Sequence, residues 1–464
     1  MNKTRTHGWR GDVQAIVLLA LPLILTNFAH VAVTTIDILV LGTLGARELA
    51  AGGLAIALFN QLRTMGTGLV TSVSNLVAEA NARGEHKRVS ELLMAGFFWA
   101  TVSGLAFIAL LLLLERPLVW LGQESTVAAM TFQYLLLAAP GLLPCLWFQT
   151  LRHFTVGLKY PGPLLAITLV AIVLTAGLNY IVVHGRFGVP ALGFPGVALT
   201  TSLVFLISFL MFLYVVVSNK RLAPYITLSA LRWSPEAVHD VWRLGLPIAG
   251  TYASEAGFFT VLTLLIGTLG VEALAAQTVL NQIIYIVFMI SAGISHAASI
   301  HISEACGVDD YPHARRLGLL SLALGVAAML VVAIPYVLVP DLIVTLFISA
   351  DQRSNATALA LATSGLLIAA VLQIFDASQN IGNGILRGTG DTAGPLRISL
   401  LGYWLIGLPL AYLLGVTANY GIYGIWVAQT IGLAATAALL VASFHLRIGR
   451  LAPPASIRST GEPS

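Results

Sequence analysis

The sequence predicts an all-α polytopic membrane protein, with twelve transmembrane helices in two pseudo-symmetric six-helix lobes, and three observations carry that prediction. Of 464 residues, 58% are hydrophobic and only 9% charged, with a mean hydropathy of +0.89, whereas about a quarter of a soluble domain is charged. The apolar runs between charged or Gly/Pro-containing loops are long enough for helices of about 20 residues crossing a roughly 30 Å hydrocarbon layer; a closed barrel would show alternating segments of about ten residues. The chain also repeats itself. At an offset of 225, Ala20 to Ala51 overlays Gly245 to Ala276, with seven of the eleven positions from Leu41 to Ala51 identical, including GTLG at Gly42 to Gly45 and again at Gly267 to Gly270. The same offset pairs Pro22 with Pro247, Thr26 with Thr251, Gly68 with Gly293, Ser74 with Ser299 and Glu79 with Glu304.

Taken in order, a cytoplasmic tail over 1–12 leads into a lobe over 13–218, with helices expected at about 13–43, 49–79, 91–114, 128–151, 162–183 and 196–218. A cytoplasmic linker over 219–239, carrying Lys220, Arg221, Pro224 and Arg232, joins it to a second lobe over 240–446. Helices are expected there at about 240–268, 275–303, 316–339, 357–386, 395–417 and 422–446. The cytoplasmic tail over 447–464 is rich in small polar residues and proline after Leu451, which predicts disorder. The first helix lacks the small-residue cleavage pattern of a removable signal peptide.

Placing the N-terminus inside puts 18 of the 24 Lys and Arg residues in cytoplasmic segments, among them Lys87, Arg88, Arg152, Arg315, Arg316 and Arg387. Only Arg47, Arg116, Arg186 and Arg353 fall outside, and Arg63 and Arg243 fall in helices. This bias predicts that both termini are cytoplasmic. Because six is an even number, the second copy enters the membrane in the same direction as the first, as parallel repeats about an axis near the membrane normal.

Polar groups inside the spans carry the functional information. An ionisable side chain there costs at least about 2.5 to 3.5 kcal/mol on insertion scales, so it faces a cavity or a partner. In the first helix, Asn27, His30, Thr34 and Asp37 follow at spacings of three, four and three, on one helical face. The tenth repeats the pattern with Gln373, Asp376, Asn380, Asn383 and Arg387, the seventh carries Thr251, Ser254 and Glu255, and the fifth carries Thr175 and Asn179. The second has a polar face of Asn60, Thr64, Thr67, Thr71 and Asn75, suited either to a cavity or to close helix packing. By the offset of 225, Glu255 corresponds to His30 and Leu262 to Asp37; an offset of 224 in the later helices pairs Asp376 with Arg152. The scaffold is symmetric while the charges are not. Glu255 and Asp376 could bind a proton or a sodium ion, or each could be paired for structure alone.

Other signals are bland. Glu79 and Glu304 sit at inner helix ends, where packing or capping is expected, and Cys145 and Cys306 lie in different halves as small core residues. His296 and His301 fit no HExxH metal motif, and neither a phosphate loop nor a complete GxSxG elbow is present. No enzyme, ATP-driven pump, cofactor or nucleic-acid partner is expected.

Several stretches together carry a resemblance: Pro22, Asp37 and GTLG in the first helix; GLKYPGP at Gly157 to Pro163; GLNYIVVHGRFGVPALGFPGVALTTS from Gly177; GLP before Glu255; and ILRGTGDT at Ile385 to Thr392. They resemble the multidrug and toxic compound extrusion (MATE) family, most closely its NorM-type bacterial branch, over nearly all of residues 13 to 446. The resemblance implies a monomeric secondary antiporter in the cytoplasmic membrane of a bacterium, exporting amphipathic, often cationic compounds in exchange for inward Na⁺ or H⁺. It implies that Glu255 and Asp376 bind the coupling cation, with Na⁺ held there if sodium is used. Asp37 and Asn179 match an N-lobe polar cluster tied to proton or substrate binding, with Thr175, His30, Thr34, Gln373 and Asn380 as further cavity groups. Thr175 stands where many members have asparagine, and Leu372, one turn before Asp376, where some have tyrosine. Two other functions fit less well. A lipid-linked oligosaccharide flippase would need a basic cavity, and an intramembrane enzyme using these acids would not need a two-lobed repeat.

Overall fold

Twelve long helices dominate the computed structural model, which describes residues 8–113, 125–188, 190–226, 233–347 and 356–451. They are α1 (Trp9–Leu44), α2 (Ala46–Ala82), α3 (His86–Leu112), α4 (Ser125–Gly157), α5 (Gly162–His184), α6 (Phe194–Ser218), α7 (Pro235–Gly267), α8 (Val271–Gly307), α9 (Tyr311–Leu338), α10 (Ala356–Gly388), α11 (Ala393–Thr417) and α12 (Gly421–Leu451). The tail after Leu451, most of the N-terminal tail, and Arg116, Arg232 and Arg353 lie outside the described residues. Eleven of these helices are long and apolar enough to cross a membrane. The exception is α2, whose polar face lowers its hydropathy. A short helix at Pro340–Thr345 was not expected, nor was the 3₁₀ turn Ala139–Gly141 around Pro140 within α4.

Several helices run past their expected ends because capping and charged residues continue the spiral into the polar layer. Thus α9 starts at Tyr311, with the Asp310 carboxylate accepting from the His313 amide. Among the arginines placed in cytoplasmic loops by the sequence, two are instead buried inside helices: Arg152 in α4, 8% exposed, and Arg387 in α10, 5% exposed. Both donate to side-chain oxygens, Arg152 to the Asn27 amide and Arg387 to the Ser299 hydroxyl, which is what lets the helices continue through them.

The duplicated prolines sit inside α1 and α7. A proline removes a backbone donor from the helix, and such sites are tolerated in membranes where other groups re-satisfy the backbone. One turn on, the duplicated threonines bond back to the prolines' own carbonyls, as Thr26 donates to that of Pro22 at 2.7 Å and Thr251 to that of Pro247 at 3.0 Å.

By contacts the chain divides into two compact units, one of Pro22–Ala253 and one of Met1–Leu21 with Ser254–Ser464. The first has a core of residues such as Leu41, Phe59, Val70, Leu142 and Val197, from α1, α2, α4 and α6. The core of the second gathers Phe258, Leu262, Leu366, Tyr403 and Trp426, from α7, α10, α11 and α12. In that unit α11 includes two π-helical stretches, Leu401–Gly407 and Leu413–Thr417.

Close approaches fix the register of the repeat. A Cβ on Gly157 would lie 2.6 Å from the Ser74 carbonyl oxygen, and one on Gly388 would lie 2.7 Å from that of Ser299. Ser74 and Ser299 are the equivalents found from sequence, so Gly157 and Gly388 are equivalent as well. The following turns agree: Lys159 and Gly390 both have positive φ, and the bonds Lys159 N to Val156 O and Gly390 N to Arg387 O match. The offset between α4 and α10 is therefore 388 − 157 = 231 rather than 224. Asp376 then corresponds to Cys145, and Arg152 to Asn383. The sequence misses this because the α4 and α10 segments share little identity apart from their glycines.

Candidate functional site

In the C-terminal unit, the charge of Asp376 on α10 acts on Glu255 of α7, and both carboxylates act on the buried hydroxyl of Tyr403 on α11. Asp376 is 3% exposed. Tyr403 stacks on Phe258 at 4.9 Å, and Trp404 Nε1 donates to Ser254 Oγ at 2.9 Å, so aromatic packing and a hydrogen bond lock α11 to α7 beside the acid. Asp376 Oδ1 and both polar ends of Gln379, one turn on, are buried without a hydrogen-bond partner, and Gln379 approaches the Tyr403 hydroxyl without meeting hydrogen-bond geometry. Unsatisfied oxygens around carboxylates suit a hard cation, which takes oxygen ligands. Among the described residues, no cluster of three His, Cys, Asp or Glu side chains exists for other metals.

Two residues of α10 expected at the cavity bond to neighbouring helices. Gln373 donates to Tyr336 of α9 at 3.2 Å, and Asn380 donates to Ser291 of α8 at 3.0 Å while its carbonyl accepts from Ser295.

In the N-terminal unit, both oxygens of Asp37 are engaged: Asn179 Nδ2 donates to one at 2.9 Å and Thr201 Oγ1 of α6 to the other at 3.1 Å. Thr175 is not brought to the acid; its hydroxyl donates to the carbonyl of Ala171 one turn back. Asp37, Thr34, His30, Asn60, Arg63 and Tyr134 are among the residues lining a cavity whose apolar walls include the stacked pair Phe59 and Phe205. An adjoining cavity shares His30, Val33, Arg63 and Phe205 with the first. The polar face of α2 thus divides, with Asn60 lining the cavity and Thr71 packing against His153 at 3.2 Å. The aromatic walls were not readable from sequence. Neither were Thr201, Tyr134, Gln379, Tyr403 and Trp404, since a single hydroxyl or ring in an apolar run has no period; only the quoted run ending ALTTS contained one of them.

Comparison with known proteins accords with this geometry. The MatE family profile matches residues 22–181 and again 247–413, about 70% of the chain in all, and the second match begins 225 residues after the first. The chain belongs to the MATE family. MATE proteins are transporters rather than enzymes, and this one is a multi-pass membrane transporter. Among its relatives are a probable multidrug resistance protein NorM from Pseudomonas aeruginosa, 35% identical with 96% of this chain and 91% of the relative covered. Another of that name from a Synechococcus strain is 33% identical, with 94% of each chain covered. Among solved structures, a MATE protein in complex with MaL6 superposes with a TM-score of 0.87 at 19% identity over 95% of this chain and 97% of that one. The outward-facing conformation of a multidrug resistance MATE transporter superposes with a TM-score of 0.85 at 17% identity over the same shares. These likenesses show the MATE fold.

Proposed function

We propose that this MATE protein is a multidrug efflux transporter of the bacterial cytoplasmic membrane, a secondary antiporter that exchanges amphipathic, often cationic compounds for inward Na⁺ or H⁺. The family membership and the NorM-named relatives support export of drugs. One observation supports the coupling role: Glu255 and Asp376 share a neighbourhood, and no Lys, Arg or His pairs with either among the described residues. Two unpaired carboxylates in a low-dielectric setting call for a bound cation. A proton satisfies either one, and a sodium ion would draw on Asp376 together with the unsatisfied oxygen of Gln379.

Lobes over 13–218 and 240–446, with both termini cytoplasmic, would alternate between inward- and outward-open states. Cation entry from outside neutralises the acids and favours drug release, and drug binding from inside favours cation loss; each ligand shifts the equilibrium only through its differential affinity for the two states. Asp37, held by Asn179 and Thr201, supplies a negative group for a cationic drug in the N-terminal cavity. A flippase of pyrophosphate-linked lipids is the weaker reading, because the relatives that match nearly the whole chain are named for multidrug resistance and Glu255 and Asp376 repel such a headgroup in the C-terminal unit.

Two experiments test the proposal. Ethidium export from cells carrying Glu255→Gln or Asp376→Asn should fall at least about tenfold, the equivalent of about 1.4 kcal/mol of lost coupling; unchanged export in both variants would refute the coupling role. In proteoliposomes, an imposed pH gradient and an imposed Na⁺ gradient should differ in their power to drive export, and export under neither would refute antiport.

A further inference from the structure

The N-terminal unit inverts the charge of its counterpart. With the register fixed by Gly157 and Gly388, the positions of Glu255 and Asp376 are taken in this unit by His30 and Cys145. Around these two stand Arg63, which lines both cavities and interacts with Cys145, and Arg152. Both guanidinium charges act on His30. Their partners are neutral: Arg63 Nε donates to the Asn60 side-chain oxygen at 3.0 Å, and Arg152 donates to Asn27 at 2.7 Å and to Gln149 at 3.5 Å. Among the described residues no carboxylate pairs with either arginine, and His30 Nε2 is buried without a hydrogen-bond partner. A guanidinium kept in a membrane protein at such cost, with amide carbonyls but no counter-ion, is short of negative charge.

We propose that this cavity carries an anion subsite, with Arg63, His30 and Gln149 as its contact groups and Arg152 behind Gln149 as a positioning residue, that takes the carboxylate of an amphipathic substrate. The inference rests on the export reading and deepens it by assigning the residues that select for a carboxylate. The planar fork of arginine suits a carboxylate, which it can bind through two parallel bonds. Asp37 lines the same cavity but does not pair with Arg63, being occupied by Asn179 and Thr201. The cavity thus offers one negative and one positive group on apolar walls that include Phe59 and Phe205. A zwitterion with an amine and a carboxylate on one flat ring system satisfies both groups; a simple cation leaves the arginine uncompensated.

The test compares a fluoroquinolone, which carries both groups, with its methyl ester, in which the carboxylate is masked. Binding of each to purified protein in nanodiscs is measured for wild type, Arg63→Gln and Arg63→Lys, and the ratio of the two affinities is read. Wild type should prefer the free acid by about tenfold, the scale of one charge-assisted hydrogen bond. Arg63→Gln should bring the ratio to within about twofold of unity, and Arg63→Lys, which keeps the charge, should retain most of the preference. Elution of each variant as one symmetric peak separates a lost subsite from a misfolded protein. A wild-type ratio near one, or an Arg63→Gln ratio equal to that of wild type, overturns the proposal. Binding is measured without a gradient, so a preference found in a protein that exports nothing would overturn the antiporter reading alone.

Discussion

Asp37 receives its two donors from two different helices, α5 and α6, so one carboxylate ties three helices together at the cavity wall. A hydrogen bond to a charged group contributes about 1.5 to 3 kcal/mol. Thr201→Val, nearly the same shape without the donor, should therefore lower the thermal stability of the detergent-solubilised protein by a measurable few degrees and reduce ethidium export, whereas Thr175→Val should leave export close to wild type. Equal effects of the two would mean that Thr201 does no more than pack. The pairing of Asp37 with Asn179 is legible in sequence, because each belongs to a periodic polar face and the family resemblance joins them. Arg152 is not, since a positive residue near the end of an apolar run reads as a loop boundary. Only folding brings up Asn27 and Gln149, the acceptors that let it stay inside.

At the scale of elements, α2 and α7 approach each other through backbone. A Cβ on Gly245 would fall on the Leu69 carbonyl oxygen, and one on Gly68 would lie 2.8 Å from Ala249 Cα. Close helix contact through small residues is what associates helices in lipid, where no hydrophobic force drives them together. Gly245→Ala should destabilise by about 1 to 3 kcal/mol through overpacking. Gly53→Ala, on the same helix α2 but with nothing within 4 Å of the added methyl, should be neutral or slightly stabilising. Thermal denaturation followed by size-exclusion chromatography checks both. Helix existence and order are almost fully legible in this chain, because twenty apolar residues in a row have few other uses. The π-helical stretches of α11 and the short helix after α9 are not, since both depend on local packing that no hydropathy period records.

At the scale of the whole molecule, the repeat predicts sidedness. In a background lacking Cys145 and Cys306, single cysteines at Arg47 and at its equivalent Glu272, both exposed at helix starts or nearby, should react with a membrane-impermeant maleimide in intact cells. Cysteines at the equivalent pair Arg83 and Val308 should react only after permeabilisation. A pair that splits between the two sides would refute parallel repeats.

The core position of Leu262 has a consequence for how such a transporter can be built. Leu262 is fully buried, and it occupies the place that Asp37 holds in the other copy. Two identical six-helix subunits in a symmetric dimer would carry every group twice and could not make that exchange. Fusion into one chain removes the obligation. One copy could then surrender an acid to aliphatic packing while keeping Glu255 and Asp376, and the other could trade those acids for His30 and Cys145 beside its arginines. The duplicated halves became free to differ, and under the proposed function one serves the driving ion and the other the cargo.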